Sequence, residues 1–204
     1  MSTVHQVRVE PLTEEAFAPF GQVVSAKDRP PDFETESGTQ GWAVDFSSGR
    51  PLVMLLRTPY QGLRFSKLER HFNLTQTFLP LGGSPAVVAV APPSSDRTAV
   101  PDPTDVRAFL LDGSKGYALA RGTWHSLDRF PLYPPETRWV IITDHETQRD
   151  LLTAYSGQGT CELTQEVDYH ARFGVGFALT LDRRGEATGP PEERGTSPDS
   201  ARPY

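Results

Sequence analysis

From residue 52 onward the apolar residues come only in short runs, each cut off by Pro, Gly, Asp or Ser before it reaches the length of an ordinary helix. The runs are Leu52–Thr58, Thr75–Pro80, Ala86–Ala91, Val106–Leu111, Tyr117–Ala120, Trp139–Asp144 and Phe173–Leu181. This spacing is the pattern of an all-β sandwich or barrel. The 19 prolines and 17 glycines among 204 residues exceed average usage and also interrupt regular elements. Val87-Val88-Ala89-Val90 is continuously apolar instead of alternating, which implies a strand covered on both faces. A double-sheet barrel supplies that cover. Only Thr147–Tyr155 reads as helical in this part of the chain.

Ahead of these runs, Val7–Pro11 is extended. Thr13 then caps a brief helix whose first turn carries Glu14 and Glu15, charges suited to the positive end of the helix dipole. Pro19 and Gly21 end it. Residues 25–49 form a long polar loop anchored by Trp42 and Phe46, and loops of this length are often functional, so it is expected to close over a pocket. From Asp182 to Tyr204 no Val, Ile, Leu or Phe occurs, so this stretch cannot offset the entropy of ordering its backbone. The expected organisation is one domain over 1–181 and a disordered tail over 182–204.

Several function classes fall away. The net charge of −6, from 26 acidic and 20 basic residues, repels phosphate backbones and argues against nucleic acid as a partner. The longest apolar runs fall far short of the ~20 residues that cross a bilayer. Met1–Pro11 lacks the apolar core of a secretory signal, so a cytoplasmic protein without membrane attachment is expected. The single cysteine, Cys161, offers neither an internal disulfide nor a thiolate metal cluster.

Chemistry concentrates in two segments. In the first, Glu69 and His71 lie two apart, so on a strand they project from the same face, and Gln76 follows after a turn. In the second, Ala120-Arg121-Gly122-Thr123-Trp124-His125 places a histidine after a glycine turn that aims it inward. Together Glu69, His71, Gln76 and His125 suit a divalent metal such as Ni, Mn, Fe or Zn. They equally suit a metal-free acid–base pocket. No organic cofactor is implied. His5, His145 and His170 are read as structural or solvated. A serine-hydrolase reading of His125-Ser126 fails because neighbours on a strand face opposite ways, and no Gly-x-Ser-x-Gly turn occurs.

The spacing Glu69-x-His71, Gln76, Gly83 resembles the first cupin motif, and Gly122-Thr123-Trp124-His125 resembles the second, with Ala120 in the place of its proline. The substitutions of Glu and Gln point to one branch. With Pro11-Leu12-Thr13, Glu15-Ala16-Phe17, Pro19-Phe20-Gly21, Thr75-Gln76-Thr77-Phe78, Pro101-Asp102 and Val106-Arg107-Ala108-Phe109, the chain is similar to the ureidoglycolate lyase family of cupins over roughly residues 6–145. Two departures stand out. Many members carry a tyrosine where this chain has Leu119 and a histidine where it has Ser126.

The resemblance implies a cupin-type double-stranded β-helix (jelly-roll) barrel with short peripheral helices. It also implies a homodimer and a carbon–nitrogen lyase that eliminates urea from ureidoglycolate to give glyoxylate, in allantoin and purine nitrogen degradation. The alternatives are a cupin enzyme acting on another small hydroxy or keto acid, and a non-catalytic cupin that binds a small acid. Elimination needs a base for the hydroxyl proton and an acid for the departing urea nitrogen. Imidazole, titrating near about 6.5, serves either role, which nominates His125 and His71, with Glu69 orienting a ring or sharing the proton. Arg57 is the first candidate for the substrate carboxylate because a guanidinium grips it through paired hydrogen bonds; Arg107 and Arg121 are lesser ones. Trp124 is placed at the barrel mouth beside the substrate, and Arg70 points away.

Overall fold

The structure, a computed structural model, describes residues 3–47, 49–156 and 161–181. In chain order the first half holds β1 (Thr3–Pro11), α1 (Glu14–Phe17), β2 (Gly21–Val24), a small hairpin of β3 (Phe33–Glu34) and β4 (Gln40–Gly41), β5 (Pro51–Pro59), β6 (Arg64–Phe65), β7 (Lys67–His71), β8 (Gln76–Leu81) and β9 (Ala86–Ala91). Then come β10 (Arg107–Leu111), β11 (Gly116–Leu119), β12 (Trp124–Ser126), β13 (Phe130–Pro131), β14 (Glu136–Asp144), α2 (His145–Tyr155), β15 (Thr164–Asp168), α3 (Tyr169–Phe173) and β16 (Val175–Thr180). The proposed tail, 182–204, lies outside the described residues.

A nine-stranded sheet runs β15, β7, β12, β9, β10, β1, β16, β6, with β13 also on β9, and a five-stranded sheet runs β2, β11, β8, β14, β5. Pairing is antiparallel except that β1 lies parallel to both β10 and β16. The sheets share one core: Phe78, Leu119, Trp139 and Ile141 from the smaller meet Val88, Val90, Phe109 and Leu111 from the larger. This is the expected all-β architecture of two sheets around a common core. Strand β9 is buried on both faces, because Val88 and Val90 enter that core while Val87, Ala89 and Ala91 enter a second cluster with Leu68, Trp124, Tyr169 and Phe177. The unbroken run of valine and alanine follows from having no solvent side.

Aromatic rings fill part of the barrel. Thr13 Oγ1 accepts from the Ala16 amide at 3.2 Å and starts α1, which delivers Phe17 and Phe20 to Phe109 and Tyr117. Ring centroids lie 5.2 Å apart for Phe17–Phe109 and 5.0 Å for Phe78–Tyr117, distances at which aromatic pairs add stability beyond area burial. The polar residues discussed below occupy the remaining interior.

Three features differ from the sequence-based expectation. Residues 25–49 contain the β3–β4 hairpin. Strand β15 pairs with β7 although Thr164–Asp168 shows no clear alternation. Phe173 ends a helix instead of opening a strand, since Asp168 caps α3 by accepting from the His170 and Ala171 amides and Gly174 closes it at φ 69°. No helix among the described residues is long and apolar enough to cross a membrane.

Candidate active site

Alternation on β7 puts Glu69 and His71 on one face. Strand β12 pairs antiparallel with both β7 and β9, placing His125 opposite Glu69 on one side and Val90 on the other. Because Val90 belongs to the barrel core, all three polar side chains face the interior. The turn before β12 depends on Gly122 at φ 74°, a left-handed conformation suited to glycine. Its amide donates to the His71 carbonyl at 2.8 Å, tying the two motif segments together.

Glu69 Oε1 lies 3.4 Å from His125 Nε2 and 4.0 Å from His71 Nε2, and the imidazole centroids are 5.2 Å apart. His125 Nδ1 sits 3.2 Å from the Thr123 carbonyl. A carbonyl only accepts, so Nδ1 carries the hydrogen and Nε2 of the neutral ring turns a lone pair toward the carboxylate. His71 Nδ1 is 2.8 Å from Thr164 Oγ1, its neighbour on β15, which leaves Nε2 facing the same point. When Thr164 Oγ1 accepts from Nδ1, the His71 Nε2 lone pair joins the other two, and a proton on His125 or a metal cation between them relieves the repulsion.

Burial pushes the Glu69 carboxyl upward, but the close contact and charge of His125, with the charges of His71 and Arg129, outweigh it and hold the group at about 2. His71 is lowered to about 4, chiefly by burial, with Glu69 opposing and His125 and Arg129 assisting. At neutral pH Glu69 is ionised and His71 neutral.

These shifts carry a stability signature. Both folded-state values lie below the ordinary ones of 6.5 and 4.5, so the unfolded chain binds more protons and stability falls on acidification. The His71 contribution, about 3 kcal/mol, is present in full above pH ~6.5 and is lost as pH falls through the folded value of about 4. The Glu69 contribution is lost between ordinary 4.5 and about 2. Urea unfolding midpoints measured from pH 7 to 4 therefore drop for the wild type and flatten for His71→Gln. Equal slopes in the two proteins contradict this account.

Gln76 follows on β8, opposite Leu119, and shares the inward parity of Phe78. His71 Nε2, His125 Nε2, Gln76 Oε1 and Arg129 Nη2 are all buried without a hydrogen-bond partner; among the described residues only Trp124 Nε1 and Thr147 Oγ1 share that condition. Buried polar atoms are nearly always satisfied, so four unmet groups on the barrel-facing residues mark a site built for a ligand. Glu69, at 9% exposure, is more open than any of these four residues.

Sequence reasoning misplaced two residues. Arg57 does not face the barrel: Met54 and Leu56 take the inward positions of β5, so Arg57 lies outside, paired with Glu136 at 3.3 Å. Trp124 does not line the cavity either. It is next to His125 and thus faces the second core, 4.6 Å from the Arg70 guanidinium. Arg107 is engaged with Glu10 and Arg121 with Ser47. Arg70 points away, as expected. Arg129, Tyr117 and Thr164 were not foreseen, and no motif spacing marks them.

The ureidoglycolate lyase family model matches residues 4–161. The chain belongs to the ureidoglycolate lyase family. A ureidoglycolate lyase of Burkholderia mallei (strain NCTC 10229) is 40% identical over 125 residues, covering 57% of this chain and 71% of that protein. One from Chelativorans sp. (strain BNC1) is 36% identical over 133 residues, covering 61% and 77%. The solved structure of RmlC from Streptococcus suis in complex with dTDP-D-xylose is similar at TM-score 0.31 and 9% identity, over 50% of this chain and 49% of that one.

Within this family the two departures have different weight. Leu119 projects into the barrel opposite Gln76, whereas Ser126 Oγ faces the other way, donating to the Asp128 carbonyl at 2.7 Å and accepting from the Ala89 amide at 3.2 Å. Only the first lies beside a site residue on the neighbouring strand. The ligand atoms offered by Glu69, His71 and His125 all lie within 4.8 Å of one another. A carboxylate with two imidazoles whose Nε2 atoms are unpartnered has the donor set and spacing to hold a divalent metal ion.

Proposed function

We propose that this chain is a ureidoglycolate lyase that splits its substrate into glyoxylate and urea, with Glu69, His71 and His125 as the catalytic group and Gln76 as a substrate-binding residue. The carrying observation is the convergence of two imidazole Nε2 atoms on one buried carboxylate oxygen, inside a chain whose family carries this activity.

The substrate carbon bears a hydroxyl, a carboxylate and a urea nitrogen. His71, neutral at working pH and anchored by Thr164, accepts the hydroxyl proton at Nε2 as the C–N bond breaks. His125, carrying its second proton toward Glu69, donates it to the departing nitrogen. Glu69 Oε1, within 4.0 Å of both rings, returns the proton from His71 to His125 and resets the site. Water is not consumed, and burial keeps it away. Gln76, whose amide oxygen is unmet, accepts a hydrogen bond from the ureido group.

Glu69, His71 and His125, with the Gln76 oxygen, also fit a divalent cation, which when bound would polarise the substrate hydroxyl and lower its pKa. The imidazoles then serve as ligands instead of proton carriers.

A cytoplasmic homodimer belongs to the same reading. Support for self-association comes from the outer face of the five-stranded sheet, where Val53 is 64% and Leu55 77% exposed.

The test is to incubate purified protein with ureidoglycolate and quantify urea and glyoxylate, alongside elemental analysis and sedimentation. Equimolar products above the spontaneous rate are expected. Glyoxylate appearing with ammonia instead of urea, or no acceleration at all, overturns the assignment. A metal near one equivalent per chain selects the metal-loaded form, and a monomeric sedimentation coefficient removes the dimer.

A further inference from the structure

Arg129 lies in the short connection between β12 and β13, beyond any motif that marks the family, yet it is only 3% exposed. Its guanidinium stacks on the Phe78 ring at 3.7 Å, and Phe78 belongs to the barrel core two residues from Gln76. Nε donates to Tyr117 Oη at 2.8 Å and Nη1 to the Leu127 carbonyl at 2.9 Å. Nη2 has no partner. The other buried arginine, Arg70, has its Nη2 bonded to Gln165 Oε1 and to the Asp96 carbonyl.

Removing a guanidinium from water costs several kcal/mol unless anionic or hydrogen-bonding partners compensate. None of the ion pairs among the described residues involves Arg129. Tyr117 is fully buried, and that burial raises its pKa, so the phenol supports the fork without neutralising it. The result is a fixed cation, held on two nitrogens and free on the third, stacked on Phe78 two residues along β8 from Gln76.

We propose that Arg129 is the anion receptor of the cavity: Nη2 binds the carboxylate of a small 2-hydroxy acid and thereby aims its hydroxyl and C–N bond at the Glu69–His71–His125 group. In its choice of acid this rests on the ureidoglycolate reading above; as an anion site it stands on the unpartnered Nη2 alone. It assigns to Arg129 the part that the sequence suggested for Arg57.

The experiment compares glycolate with glycolamide, its neutral amide, as ligands of the wild-type protein by calorimetry and as competitive inhibitors. Glycolate is expected to bind about 10²-fold more tightly than glycolamide. Arg129→Met raises KM for ureidoglycolate and the glycolate Kd by about 10²-fold, with kcat falling less, and leaves glycolamide affinity unchanged. Arg129→Lys recovers part of the loss. Equal affinity for acid and amide in the wild type overturns the proposal without requiring any variant to fold. So does a folded Arg129→Met protein, verified by circular dichroism, with unaltered KM and glycolate Kd. Glycolate binding that depends on Arg129 in a protein releasing no urea sustains the anion site and rejects the ureidoglycolate reading instead.

Discussion

Replacing His125 with glutamine lowers kcat for urea release by about 10²–10⁴-fold, the range for losing a positioned acid or base, and replacing Glu69 with glutamine does the same. The two residues meet at 3.4 Å as cross-strand partners on β12 and β7, with the carboxylate oxygen facing the ring Nε2. They therefore act as one unit, and groups that act together give non-additive losses. The double variant is expected to be no slower than the poorer single one. Steady-state kinetics on the three proteins, each shown folded by circular dichroism at the assay temperature, provides the check. Multiplying losses, or a Glu69→Gln enzyme with wild-type kcat, removes the coupled pair from the mechanism.

Arg70, between the two catalytic candidates, has the opposite consequence. Its side chain points away from the barrel and is 0% exposed. The guanidinium bonds Gln165 Oε1 at 2.7 Å, the Ser94 carbonyl at 3.1 Å and the Asp96 carbonyl at 3.0 Å, and stacks on Phe72 and Trp124. Arg70→Met strands these acceptors and loosens the segment around Ser94 and Asp96. The expected cost is about 3–5 kcal/mol, or roughly 6–20 °C in Tm for a chain of this size. Below the new midpoint kcat and KM remain within a few-fold of wild type. Calorimetry and kinetics on this one variant separate the alternatives: a large kcat loss with unchanged Tm places Arg70 in the site and reverses the assigned direction of β7.

The contrast between residues 69, 70 and 71 shows what could be read in advance. Strand periodicity alone sorts Glu69 and His71 from Arg70. Gly122 flags the turn that carries His125. The same rule also separates His125 from Trp124, since neighbours on a strand diverge, and applying it consistently removes Trp124 from the cavity. For β5 the pattern is silent, because Leu52, Met54 and Leu56 on one face are no more apolar than Val53 and Leu55 on the other. The direction of Arg57 was therefore open until the strand was seen on β14.

Alternation, turn chemistry and the charge-poor short runs determined the two-sheet architecture, the doubly covered β9 strand and the shared face of Glu69 and His71, because these depend on local geometry repeated along the chain. Register and loop path decided the rest. His125 opposes Glu69 only because β12 is inserted between β7 and β9. Arg129 enters the barrel because a short connection folds it onto Phe78, and Thr164 holds His71 because a strand near the chain's end joins the sheet edge. Such placements depend on packing between residues distant in sequence, and no local pattern encodes them.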